Sequence, residues 1–168
     1  SAAANGALML AWSAAAFIAI HTSGRWFNRV GPKPMIIGGC LCQAAGILWL
    51  IEVNHSTSHL LLYCAYALMG FGGSLCSSSA QNSAMLEIDA AELADASALW
   101  NINRQLSFCL GVTLVSLLFN LIANTGMPVK QSYRLCFVIA ACSAVIPVLC
   151  SLRIANHKVV LTLNKEQK

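Results

Sequence analysis

Apolar and polar positions fall into long blocks along this chain rather than into a fine alternation. Five stretches are nearly free of charge, and each approaches or exceeds the roughly 20 helical residues that a bilayer core requires. They cover residues 4–22, 35–53, 59–79, 98–122 and 133–152. Glu52 closes the second, and Arg104 is the one charge inside the fourth. Period-two alternation is absent, which argues against a membrane β-barrel. Helices satisfy their backbone hydrogen bonds internally, as lipid demands. The pattern therefore predicts an all-α integral membrane protein with five transmembrane helices, followed by a polar tail at 153–168.

Composition agrees. The chain is 58% hydrophobic and 10% charged, whereas a soluble domain carries about 25% charged residues. Net charge is +4, and the cations lie at the ends of apolar runs, not in a patch suited to nucleic acid. The eight cysteines lie in or beside apolar runs and form no CxxC pair. They read as small buried hydrophobes, not as a disulfide framework. The chain opens SAAANG, without methionine or a basic leader, so a piece of a longer protein is expected.

The connections carry the charge. Gly24–Pro34 is basic, Asn54–Ser58 is short, Met85–Ser97 is acidic (Glu87, Asp89, Glu92, Asp95), and Ala123–Ser132 holds Gly126, Pro128 and Lys130. Sides alternate with each crossing. One side collects Arg25, Arg29, Lys33, Arg153, Lys158, Lys165 and Lys168, and the other only Lys130 and Arg134. The positive-inside rule makes the first side cytoplasmic. The first residue then faces out and the last faces in.

The basic connection reads GRWFNRVGPKP. Gly24 is expected to end the first helix and Gly31 to allow a tight turn. Pro32 and Pro34 suit a helix start, where a missing N–H costs nothing. A topology-fixing hairpin would account for every residue. The same residues resemble the signature loop of the major facilitator superfamily, which runs Gly, three residues, Asp, Arg, any, Gly, Arg, then Arg or Lys. Gly24, Arg29, Gly31 and Lys33 match, Asn28 stands for the aspartate and Pro32 for an arginine. This degenerate form resembles the second copy of the loop, between helices eight and nine. Downstream, Asn103, Arg104, Gln105 and Gly111 resemble the penultimate helix of the drug:proton antiporter branch. The resemblance implies five of the six helices of the C-terminal bundle of a twelve- or fourteen-helix transporter in a bacterial inner membrane. It further implies proton-coupled efflux of small amphipathic molecules or drugs by alternating access. The implied partners are lipid, the substrate, protons and an N-terminal bundle outside this chain. The family aspartate caps a helix and pairs with cations. Asn28 keeps only the hydrogen-bonding part of that role.

Arg104 is expensive near a bilayer centre, at about 2.5–3.5 kcal/mol on insertion scales. With a helix start near Ala98 it lies about two turns in and can snorkel to the interface. Asn101, Arg104, Gln105 and Phe108 share a face by their spacing. That face is expected to point into the bundle, as a candidate cavity or gate. Gly70, Ser74 and Ser78 are small residues four apart that suit close helix packing or, alternatively, a gating helix. Gln81 and Asn82 at the end of that run would line the path or cap the helix.

No Asp or Glu lies deep in a span, and a proton-coupled antiporter needs a titratable intramembrane group; the family resemblance implies that this group belongs to the N-terminal bundle. His55 and His59 have a metal-compatible spacing but no further ligand beside them, and His21 stands alone. Neither metal nor cofactor is expected, nor enzymatic activity. Two other classes fit part of the pattern: a non-transporting assembly or regulatory subunit, and a haem-binding redox protein. The latter needs facing histidines at membrane depth, and no histidine falls mid-span.

Overall fold

The computed structural model describes residues 2–52, 58–154, 156 and 159–160. Among these residues six α-helices follow one another: α1 (Ala2–Val30), α2 (Pro32–Trp49), α3 (His59–Met85), α4 (Leu93–Ala123), α5 (Val129–Ser143) and α6 (Val145–Leu152). A 3-10 turn, Leu50–Glu52, extends α2. The last two helices together make one apolar segment, so five helical segments are long and apolar enough to cross a membrane. No strand occurs among the described residues.

The apolar runs locate the helices, but the helices outgrow them. α1 has 29 residues, about 44 Å at 1.5 Å per residue, whereas the hydrocarbon core is about 30 Å thick. Gly24 does not end it, contrary to expectation. A mid-helix glycine costs only about 1 kcal/mol, and the end of a long helix can project past the hydrocarbon with Arg25 and Arg29 exposed. The fifth span departs in another way, because it breaks at Ala144. Pro147 has no N–H to give to Ser143 O, and its ring crowds that carbonyl. Val148 N to Ala144 O is stretched to 3.4 Å beside it.

α3 is the hub, packing along α1 on one side and α2 on the other. Lipid supplies no hydrophobic drive between helices, so small residues and close backbones carry the association. Along α1, Ala16, Ala19, Ser23 and Phe27 form a buried stripe at helical spacing. A Cβ at Gly70 would collide with the Trp12 carbonyl of α1. The α2 seam is closer still. A Cβ at Gly39 would lie 2.7 Å from both Cys76 N and Gly72 O, and one at Gly72 would lie 2.5 Å from Gln43 N and Gly39 O. Farther along, a Cβ at Gly46 would meet Met69 Cγ at 2.6 Å. Cys40 Sγ and Cys76 Sγ lie 3.4 Å apart across this seam. Toward the Gly31 end, Ala19, Phe27, Met35 and Leu75 form a core cluster with Phe71 against it.

The expected burial of the cysteines holds only in part. All eight are unpaired; Cys40 and Cys136 are buried, whereas Cys64, Cys109, Cys142 and Cys150 are exposed. The small-residue reading of α3 was right in kind at Gly70 but missed the seam through Gly39, Gly46 and Gly72.

Candidate functional site

The basic connection between the first two spans is almost entirely helix. Only Gly31 separates α1 from α2. Its φ of 84° lies in the left-handed region that glycine adopts without a steric penalty. Gly31 N still donates to Phe27 O at 2.9 Å, closing the last turn of α1 as a left-handed helix cap does. Pro32 follows as the first residue of α2 and is fully buried. The chain thus reverses within one residue because glycine ends one helix and proline begins the next.

Each residue of the expected loop can now be placed. Gly24 and Asn28 are inside α1, Gly24 exposed and Asn28 half-buried. Asn28 does not cap α2: Gly31 holds the N-cap position, without a side-chain bond. Arg29 is exposed in the last turn of α1, where a cation meets the negative end of the helix dipole. Lys33 Nζ donates to Leu152 O at 3.0 Å. A cation therefore also caps the carbonyl end of α6.

Sequence reasoning missed Asn156. Its Nδ2 donates to Val30 O at 2.9 Å, and its Oδ1 accepts from Lys33 N at 3.1 Å. The turn and the segment after α6 are therefore held together at one end of the bundle. At the opposite end, Arg134 Nε donates to Ile51 O at 3.3 Å. Asn156 is 123 residues from Lys33, and no spacing rule reaches that far.

The second group of candidates lies on α4, which buries none of its residues. It starts at Leu93, earlier than expected, so Arg104 is about three turns in rather than two. Asp95 falls in the first turn, where the helix dipole favours an acid. Asn101, Arg104, Gln105 and Phe108 are all exposed, so the helices of this chain do not cover the face they share. Asn101 Nδ2 bonds back to Ser97 O at 3.1 Å. Gln81, half-buried, and Asn82, exposed, lie inside α3, whose C-cap is Leu86. They do not cap it.

The two candidate groups are separate. The turn group joins α1, α2 and α6, while α4 makes only limited contact, with α3 and α5. Around Gly126, whose φ is 82°, Phe119 packs tilted against Tyr133 with centroids 4.5 Å apart and joins α4 to α5. Of the other polar candidates, His59 is exposed at the start of α3 beside its cap, Ser58 Oγ, which accepts from Leu60 N at 3.3 Å. His55 lies outside the described residues, as do Lys158, Lys165 and Lys168. His21 stacks on Phe17 one turn earlier, with centroids 6.3 Å apart.

A sequence model described as Major Facilitator Superfamily matches residues 1–167. The chain belongs to the major facilitator superfamily. That membership and the five apolar helical segments make it an integral membrane protein of a transporter family. No curated protein and no solved structure gives a significant match. In superfamily terms, the Gly31 turn joins two adjacent spans in the place where the signature-like residues lie.

Proposed function

We propose that the chain is the last five helices of a drug:proton antiporter of the major facilitator superfamily. It would serve efflux of small amphipathic molecules by alternating access, with the N-terminal bundle supplying the other wall and the proton-carrying group. The observation that carries the reading is the superfamily match across residues 1–167 together with the order of its parts. A signature-like turn at Gly31 comes first, and a long α4 bearing Asn103, Arg104 and Gln105 follows. The open polar face of α4 supports it. An arginine at that depth needs a partner helix or a water-filled cavity, and the exposed face has room for either. Arg25, Arg29, Lys33 and Arg153 gather at the Gly31 end. The positive-inside rule therefore supports a cytoplasmic Gly31 end in a bacterial inner membrane.

The test is flux. The protein encoded by the whole reading frame, in everted vesicles, is expected to move a lipophilic cationic dye when a pH gradient is imposed. Collapse of the gradient should stop it. Movement that ignores the gradient would refute proton coupling, and no movement across a panel of amphipathic dyes would refute the efflux reading.

A further inference from the structure

The contacts of Asn156 amount to more than an incidental surface bond. Val30 O is at the end of α1 and Lys33 N–H is at the start of α2. Such groups have no partner within their own helices. A carboxamide offers a donor and an acceptor together, and Asn156 gives one to each: Nδ2 to Val30 O at 2.9 Å and Oδ1 to Lys33 N at 3.1 Å. A Cβ at Gly31 would land on that amide. Glycine is therefore required there twice, once for its φ of 84° and once for the room it leaves. Lys33 closes the circuit through Leu152 O at 3.0 Å.

We infer that Asn156 is a positioning residue that clamps the α1–α2 turn to the end of α6, so that the Gly31 ends of α1, α2 and α6 move as one body. The clamp does not depend on substrate, proton or transport direction. It gives Gly31 and Lys33 a role beyond the charge of the turn, which any cation would supply. Asn156→Asp would keep the acceptor for Lys33 but turn a second oxygen toward Val30 O. Asn156→Ala would leave both backbone groups without their side-chain partner.

Hydrogen exchange reads the clamp directly. Lys33 is flanked by Pro32 and Pro34, which have no N–H, so a fragment resolving residues 32–34 reports the Lys33 amide alone. In the protein from the whole reading frame, held in nanodiscs, Asn156→Ala is expected to speed exchange of that amide roughly 10- to 100-fold. Protection across the centre of α3 should stay unchanged, and Asn156→Asp should be less severe. Gly31→Ala should also speed exchange, but should add less in the Asn156→Ala background, where only the cost of its φ remains because the amide it would displace is already gone. Unchanged Lys33 exchange in Asn156→Ala would overturn the inference, and so would independent, multiplicative effects of the two substitutions. Exchange is read without substrate, so failure of the antiporter reading would leave this result standing.

Discussion

Gly38 and Gly39 are neighbours in α2, yet the structure assigns them opposite sensitivities. A Cβ at Gly38 meets nothing within 4 Å. One at Gly39 meets Cys76 N and Gly72 O at 2.7 Å and Cys76 Cβ at 2.9 Å. Two of those atoms are α3 backbone and cannot rotate away, so α2 and α3 must separate locally. Alanine in place of glycine adds about 0.8–1.0 kcal/mol of helix propensity at either position, and overpacking costs about 1–3 kcal/mol. Gly38→Ala should therefore be neutral or stabilising. Gly39→Ala should range from about neutral to about 2 kcal/mol destabilising. The difference between the two variants cancels the propensity gain and isolates the seam, at about 1–3 kcal/mol. Thermal unfolding in detergent, followed by reaction of the cysteines with a thiol-reactive dye, measures it. For a chain of this size, roughly 2–4 °C is expected per kcal/mol. Equal midpoints for Gly38→Ala and Gly39→Ala would refute the close α2–α3 approach.

Three further outcomes are expected. Treatment with copper phenanthroline should oxidise Cys40 and Cys76 to an α2–α3 disulfide, since their sulfurs lie 3.4 Å apart; peptide mapping should find the cross-link, and Cys40→Ser should abolish it. Asn28→Asp puts a carboxylate in the last turn of α1, the negative end of its dipole, and should lower stability by about 0.3–1 kcal/mol; a gain in unfolding midpoint would reveal a cation partner instead. Arg104→Leu should shift the unfolding midpoint of this bundle by no more than about 0.5 kcal/mol equivalent, because α4 buries no residue, while lowering dye efflux by the whole protein; a large loss of stability with efflux retained would assign Arg104 to packing.

The five spans were legible because lipid forces each crossing to be a long apolar helix, and Gly31 with Pro32 marked its turn by local backbone chemistry alone. Helix ends were less legible. Nothing local stops α1 at Gly24 when cationic residues can ride past the hydrocarbon, and Ala98 underestimated the reach of α4 because polar residues such as Asp95 suit a first turn. The α2–α3 seam left only a faint trace, Gly39 and Gly46 seven apart with Gly39 against Gly72 and Gly46 against Met69, since a glycine pattern does not say which helix approaches it. Asn156 left no trace at all. Its role comes from where α6 ends, and that depends on the whole bundle. The polar stripe of α4 was legible as a stripe, but its partner was not, because spacing fixes which residues share a face and not what the face meets.

The single-residue turn has a consequence for how the bundle is assembled. α1 and α2 are joined by a single residue, yet they touch each other little, and most of their contact is with α3. They leave their turn splayed, with α3 wedged between them. During synthesis, α1 and α2 therefore enter the bilayer before the helix that holds them together exists. Their small-residue seams lack their partner until α3 arrives, and the Asn156 clamp forms only once α6 and the residues after it have been made. Order of appearance and order of consolidation thus run differently here: the turn between α1 and α2 is made before α3 to α6, yet it is secured only after α6.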